Sequence, residues 1–217
     1  MADPTTAMST YHPAISRWSM PYVAEYLGKG LSFNGRPDCR NHTYSSYAYD
    51  PVSKSLIYAH VPGTSVYNPD LGDFEPLLIE QPFRQHCYIT RLISTSHGVV
   101  VWHPGYLGLL DVEARVWKAL PFEGKLPGTA TDGSPAFYDS KRDALYLAPY
   151  AGYGKPTGQV WRYEMKSGVL AEMNPEGQEE IGRGAGFKGN AREVVYLPKA
   201  DLALFNNFDD DRMVAYS

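Results

Sequence analysis

Tyr67-Asn-Pro-Asp-Leu-Gly-Asp-Phe74 is the stretch that decides the fold. A large apolar residue stands at each end, and the residues between are turn formers. Proline presets φ for a reversal, while Asn, Asp and Gly accept the backbone angles of tight turns. The frame predicts a hairpin whose two ends pack side by side on one sheet face. It returns at Tyr11-His-Pro-Ala-Ile-Ser-Arg-Trp18, Leu110-Asp-Val-Glu-Ala-Arg-Val-Trp117 and Tyr163-Glu-Met-Lys-Ser-Gly-Val-Leu170, and opens again at Tyr216-Ser217. Copies beginning at 11, 67, 110, 163 and 216 recur at about 50 residues, a period that belongs to arrays and propellers.

A second pattern runs strand, polar turn, strand: Tyr49-Asp-Pro-Val-Ser-Lys-Ser-Leu56-Ile-Tyr58 and Tyr138-Asp-Ser-Lys-Arg-Asp-Ala-Leu145-Tyr-Leu147. Tyr196-Leu-Pro-Lys-Ala-Asp-Leu-Ala203-Leu-Phe205 is a weaker copy, and Gly98-Val-Val-Val101 takes the same place in the remaining unit. Each unit reads as four short strands. Such a sheet cannot bury both faces alone and must stack on sheets like itself, which is the logic of a β-propeller. The expected fold is all-β, with about four four-stranded blades near residues 40–80, 84–121, 131–174 and 189–217. Residues 10–20 would supply an outer strand of a preceding or of the last blade. A β-sandwich is the competing reading, but sandwiches do not usually repeat their turn chemistry at fixed intervals.

Composition agrees. Among 217 residues, 29 aromatics favour pleated, half-buried surfaces, and 20 Gly with 17 Pro mark frequent reversals. At 43% hydrophobic the chain has ample material for a core. A net charge of -4 gives no electrostatic reason to expect a nucleic-acid or anionic-membrane partner. No apolar run approaches the roughly 18 residues of a membrane helix. The first ten residues lack the pattern of a signal peptide, which reads as cytoplasmic if Met1 is the true start. Cys39 and Cys87 fit no metal spacing.

The Tyr-x-Pro turns at 11–18 and 67–74, with Gly35-Arg-Pro-Asp-Cys-Arg40-Asn-His42 ahead of the first full unit, resemble the kelch-type propellers, including the galactose-oxidase-like group. The resemblance spans roughly Thr10 to Ser217. One departure stands out. The paired glycines that usually close the second strand are replaced by Ala59-His60-Val61-Pro62-Gly63 and Ala148-Pro149-Tyr150. The resemblance implies a ring of about six to eight blades, so the chain is expected to be a partial propeller; a small closed ring of four is the alternative. It also implies a binding module that presents loops and a channel mouth to a protein or carbohydrate ligand. The alternative is an oxidoreductase or lyase with its site at that mouth.

Candidate site residues follow from the alignment of units. Arg40-Asn-His42 and Arg84-Gln-His86 hold equivalent places before the first strand of neighbouring units, and Asp132 and Asn190 fall beside the same position in the next two. Arg40, His42, Arg84, His86, Asp132 and Asn190 would form a polar ring able to hold an anionic or sugar-like ligand by guanidinium and imidazole hydrogen bonds. The competing reading has the Arg and His residues satisfying buried loop carbonyls. Tyr106, Tyr150 and Tyr153 stand beside Gly in link segments and are expected as exposed loop contacts.

No catalytic residue is assigned, and no cofactor is expected. Copper would need the ligand set of a galactose-oxidase-like site, and no residue here maps onto it. Calcium at Asp209-Asp-Asp211 competes with a solvated turn. Gly184-Ala-Gly186-Phe-Lys-Gly189 has the dinucleotide spacing, but a strand pattern follows it where a helix is needed.

Overall fold

A computed structural model describes residues 7–23, 46–60, 63–75, 77–83, 90–127, 134–152, 155–177, 194–207 and 212–217. The chain opens on a hairpin of β1 (Ala7–His12) and β2 (Arg17–Val23), joined through a short 3-10 turn at Pro13–Ile15. Blade 1 contains β3 (Tyr47–Asp50), β4 (Ser55–Ala59), β5 (Thr64–Asn68) and β6 (Asp73–Phe74). Blade 2 contains β7 (Arg91–Thr95), β8 (Gly98–His103), β9 (Tyr106–Asp111) and β10 (Val116–Ala119). Blade 3 is built from β11 (Ala136–Asp139), β12 (Ala144–Leu147), β15 (Val160–Glu164) and β16 (Leu170–Met173), with a small hairpin of β13 (Tyr150–Gly152) and β14 (Lys155–Pro156) inserted midway. Blade 4 contains β17 (Val194–Leu197), β18 (Leu202–Asn207) and β19 (Arg212–Tyr216).

All pairing is antiparallel and each full blade is a meander. The fold is thus the all-β, four-bladed propeller arrangement the repeats predict. The fourth sheet differs from expectation in having three strands among the described residues. Residues 10–20 form the turn end of the opening hairpin rather than one strand, because Pro13–Ile15 reverses the chain.

The repeated frame sets the register. Tyr67 pairs with Phe74, Leu110 with Trp117, Tyr163 with Leu170 and Tyr11 with Trp18. The Tyr67 and Phe74 rings meet edge to face at 5.3 Å. Seven of the described hairpin turns contain one residue in left-handed backbone, four positions after the strand ends. In the outer hairpins these are Ser16, Gly72, Arg115 and Gly168, and in the inner hairpins of blades 1, 3 and 4 they are Lys54, Asp143 and Asp201. A side chain in that region costs roughly 1–2 kcal/mol, so the non-glycine positions need a compensating contact.

The blades stack through three apolar layers. Ile57, Ala59 and Val66 of blade 1 meet Leu92, Val99, Val101, Leu110 and Trp117 of blade 2. Trp102, Val100 and Leu107 of blade 2 meet Leu145, Leu147 and Tyr163 of blade 3. Phe137, Tyr146 and Val160 of blade 3 meet Ala203 and Phe205 of blade 4. Side chains alternate along each strand, so the middle blades contribute one set to each neighbour. Each wholly buried aliphatic residue, such as Leu145 or Val100, stabilises the stack by roughly 1.5–3 kcal/mol. The first strands of successive blades touch in the order β3, β7, β11, β17.

Two glycines separate backbone strain from packing. Gly72 and Gly168 share nearly the same φ, 65° and 73°, but a Cβ on Gly72 would meet nothing while one on Gly168 would lie 2.9 Å from the Pro121 carbonyl oxygen of blade 2. Gly72→Ala is expected to cost the backbone term alone, about 1 kcal/mol. Gly168→Ala adds a backbone clash between blades, for a total of about 2–4 kcal/mol. Urea midpoints of the two variants check the ordering, and equal losses would refute it.

Candidate functional site

The first strands of all four blades converge on one cavity of about 490 Å³. Tyr47 comes from β3, Arg91 and Ser94 from β7, Tyr138 from β11 with Ser140 in the turn after it, and Tyr196 from β17 followed by Pro198. These positions are set by the repeat. Tyr138 and Tyr196 each stand at the penultimate position of an inner strand, where Ser94 takes the place in blade 2. Tyr47 is 54% exposed, Ser94 and Ser140 are exposed, and Arg91 is buried. The lining therefore offers one open ring face, several hydroxyls and one guanidinium.

Two of the tyrosines are locked in place by carboxylates. The Tyr138 hydroxyl donates to Asp143 Oδ1 at 2.8 Å, and the Tyr196 hydroxyl donates to Asp201 Oδ1 at 2.7 Å. Asp143 and Asp201 are the left-handed residues of the inner hairpins, at φ 50° and 55°. Each also takes a partner from the preceding blade. His97 of blade 2 lies 2.7 Å from Asp143, and Ser96 Oγ lies 2.6 Å from the Tyr138 hydroxyl. Arg142 of blade 3 donates to both Asp201 oxygens, at 2.7 and 3.1 Å, and Lys141 stands 3.4 Å away. Arg142 also donates to Asp139, which is 2% exposed and accepts the backbone N–H groups of Lys141 and Arg142.

The same clasp thus fastens blade 2 to blade 3 and blade 3 to blade 4: a strand tyrosine, a left-handed aspartate, and a polar or cationic turn residue of the neighbour. Blade 1 meets blade 2 differently. Arg115 reaches Glu75 Oε2 at 2.7 Å and the Leu77 carbonyl, and the Trp117 indole donates to Thr64 Oγ1 at 3.1 Å.

These contacts set protonation. The Arg142 guanidinium, with the Tyr196 hydroxyl, holds the Asp201 carboxyl well below the ordinary carboxylate range. Burial pushes Asp143 up, but hydrogen bonds from Tyr138 and His97 outweigh it and leave the group low. Burial, then the adjacent carboxylates Asp201 and Asp139, push the Tyr196 hydroxyl up, so it stays protonated and donates. Burial likewise raises Tyr138.

Arg40, His42, Arg84, His86, Asp132, Asn190 and Tyr153 lie outside the described residues. Tyr150 does not match its expected place as an exposed loop contact. It is 2% exposed at the start of the inserted hairpin, with its N–H donating to Ser134 Oγ at 3.2 Å. Tyr150 belongs to strand β13 rather than to an open loop tip, which accounts for the difference. Tyr106 is half-buried, with its ring 5.6 Å from that of Phe83, and burial raises its hydroxyl. The strand tyrosines that line the cavity were not singled out from the sequence, although the aligned Tyr138 and Tyr196 carry the signal. Among the described residues no three His, Cys, Asp or Glu side chains are grouped to hold a metal. No protein-family model matches the sequence, and no curated protein matches it.

The carboxylate shifts give stability a pH dependence with a definite sign. Asp143 and Asp201 are low in the folded state, so their contribution is complete above the ordinary carboxylate value of 3.8 and is lost as pH falls through the folded values. Melting temperature is expected to drop between about pH 5 and pH 2. Asp201→Asn should flatten that slope more than Asp143→Asn, and thermal melts across the range check it. Parallel slopes for both variants and the parent would show that the clasps are not the source.

Proposed function

We propose that the chain is a propeller-type binding module whose central cavity takes a carbohydrate. The observation that supports this most is the cavity's size and lining. At about 490 Å³ it falls within the roughly 300–1,000 Å³ of small-molecule sites. Tyr47 offers an exposed ring for stacking on a sugar face. Ser94 and Ser140 can each donate and accept, matching the paired character of sugar hydroxyls. Tyr138 and Tyr196 hold the wall rigid because their hydroxyls are committed to Asp143 and Asp201, which lowers the ordering cost of binding. The resemblance of the hairpin frame to kelch-type propellers supports a binding module, and the ligand class is argued from the cavity lining alone.

The reading is tested by screening the purified chain against a glycan array and titrating the hits calorimetrically. Tyr47→Ala is expected to weaken binding about tenfold, equivalent to ~1.4 kcal/mol. Ser94→Ala should weaken it about threefold, with both variants melting like the parent. Retention of no glycan, or glycan affinities indifferent to both substitutions, would refute the proposal.

A further inference from the structure

The lining of the central cavity changes character along the first strands, which end at Asp50, Thr95, Asp139 and Leu197. One place before the end stand Ser94, Tyr138 and Tyr196, with Ser140 in the turn just beyond, so this rim of the cavity carries hydroxyls. Two places before the end every blade gives an apolar residue: Ala48, Ile93, Phe137 and Val195. Three places before it, Leu92, Ala136 and Val194 continue the apolar wall, and Tyr47 holds that place in blade 1.

A strand rises about 3.3 Å per residue, so the two apolar tiers reach about 7 Å below the hydroxyl tier. Apart from the Tyr47 hydroxyl, the side chains of these tiers offer no hydrogen-bonding group. Part of that apolar surface is open to a ligand. Val195 is 55% exposed, and Ala48 and Val194 are half-buried. A sugar is matched by the rim, where Ser94 and Ser140 trade hydrogen bonds with its hydroxyls. Deeper in, a hydroxyl gives up water beside Val195 and Val194, whereas an apolar group gains by leaving water.

Resting on the carbohydrate reading of this cavity, we propose that its ligand is an amphipathic glycoside. The sugar sits at the hydroxyl rim against the Tyr47 ring. An aryl or alkyl group on its anomeric oxygen runs inward over Val195, Val194 and Ala48. Val195 is then a specificity-determining residue, which selects the apolar substituent and is indifferent to the sugar that carries it.

Calorimetric titration with paired methyl and phenyl β-glycosides of glucose, galactose, mannose, fucose and N-acetylglucosamine tests this. For each sugar that binds, the phenyl glycoside is expected to bind about tenfold tighter than its methyl partner. Val195→Thr keeps the shape of the side chain and adds a hydroxyl. It should cut the phenyl advantage to about threefold or less and leave the methyl glycoside within twofold of the parent. Ser94→Ala should weaken both members of a pair alike and leave their ratio unchanged. A loss that came from the fold alone would lower both members together, so the ratio separates recognition from stability. Equal affinities within a pair, or a phenyl advantage that survives Val195→Thr, would overturn the amphipathic ligand and leave the carbohydrate reading standing. Binding of no glycoside, or of all phenyl glycosides equally with no methyl glycoside bound, would overturn both.

Discussion

A four-stranded sheet with apolar side chains on both faces cannot exist alone in water, and the rest of this molecule follows from that constraint. Strand periodicity sends Ile57 and Val66 one way and Tyr58 and Tyr67 the other, so each blade is a slab with two surfaces to hide. Stacking slabs about an axis hides the surfaces in pairs and draws the first strands together around a cavity. The cavity is therefore a by-product of stacking, while its polar lining depends on individual residues such as Arg91 and Tyr47.

Apolar layers alone would allow blades to slide, because a flat aliphatic contact has little directionality. The clasps at Asp143 and Asp201 add direction. Each ties a strand tyrosine, a turn and the neighbouring turn through oxygen and nitrogen atoms within 2.7 to 2.8 Å of the carboxylate. They sit at the rim where the inner hairpins meet, so they fix the angle between blades and with it the width of the cavity.

Much of this arrangement was legible in the sequence. The register of Tyr67 with Phe74 and of Leu110 with Trp117 came from a turn of constant length between apolar ends, a local signal that needs no knowledge of the rest of the chain. The clasps were not legible, because His97 and Asp143 lie 46 residues apart and Arg142 and Asp201 59; only stacking brings them together. Tyr150 shows the limit of composition near a turn: the same residues read as a loop tip or as a short strand, and here Tyr150 opens strand β13 and is buried. The cavity was expected from residues preceding the first strands, whereas the described wall is made mostly by residues within those strands, with Ser140 and Pro198 in the turns after them. Alternation marked them as facing a neighbour, and only the ring geometry turned some of them toward the axis.

The left-handed aspartates have an evolutionary corollary. At Asp143 and Asp201 glycine would relax the hairpin locally, so a search that scores each turn by itself would select it. Such a change gains at the bend and unlatches two sheets at once, since it is the carboxylate that the preceding slab grips. The grip between neighbouring slabs thus keeps a charged residue useful where the backbone by itself would favour none.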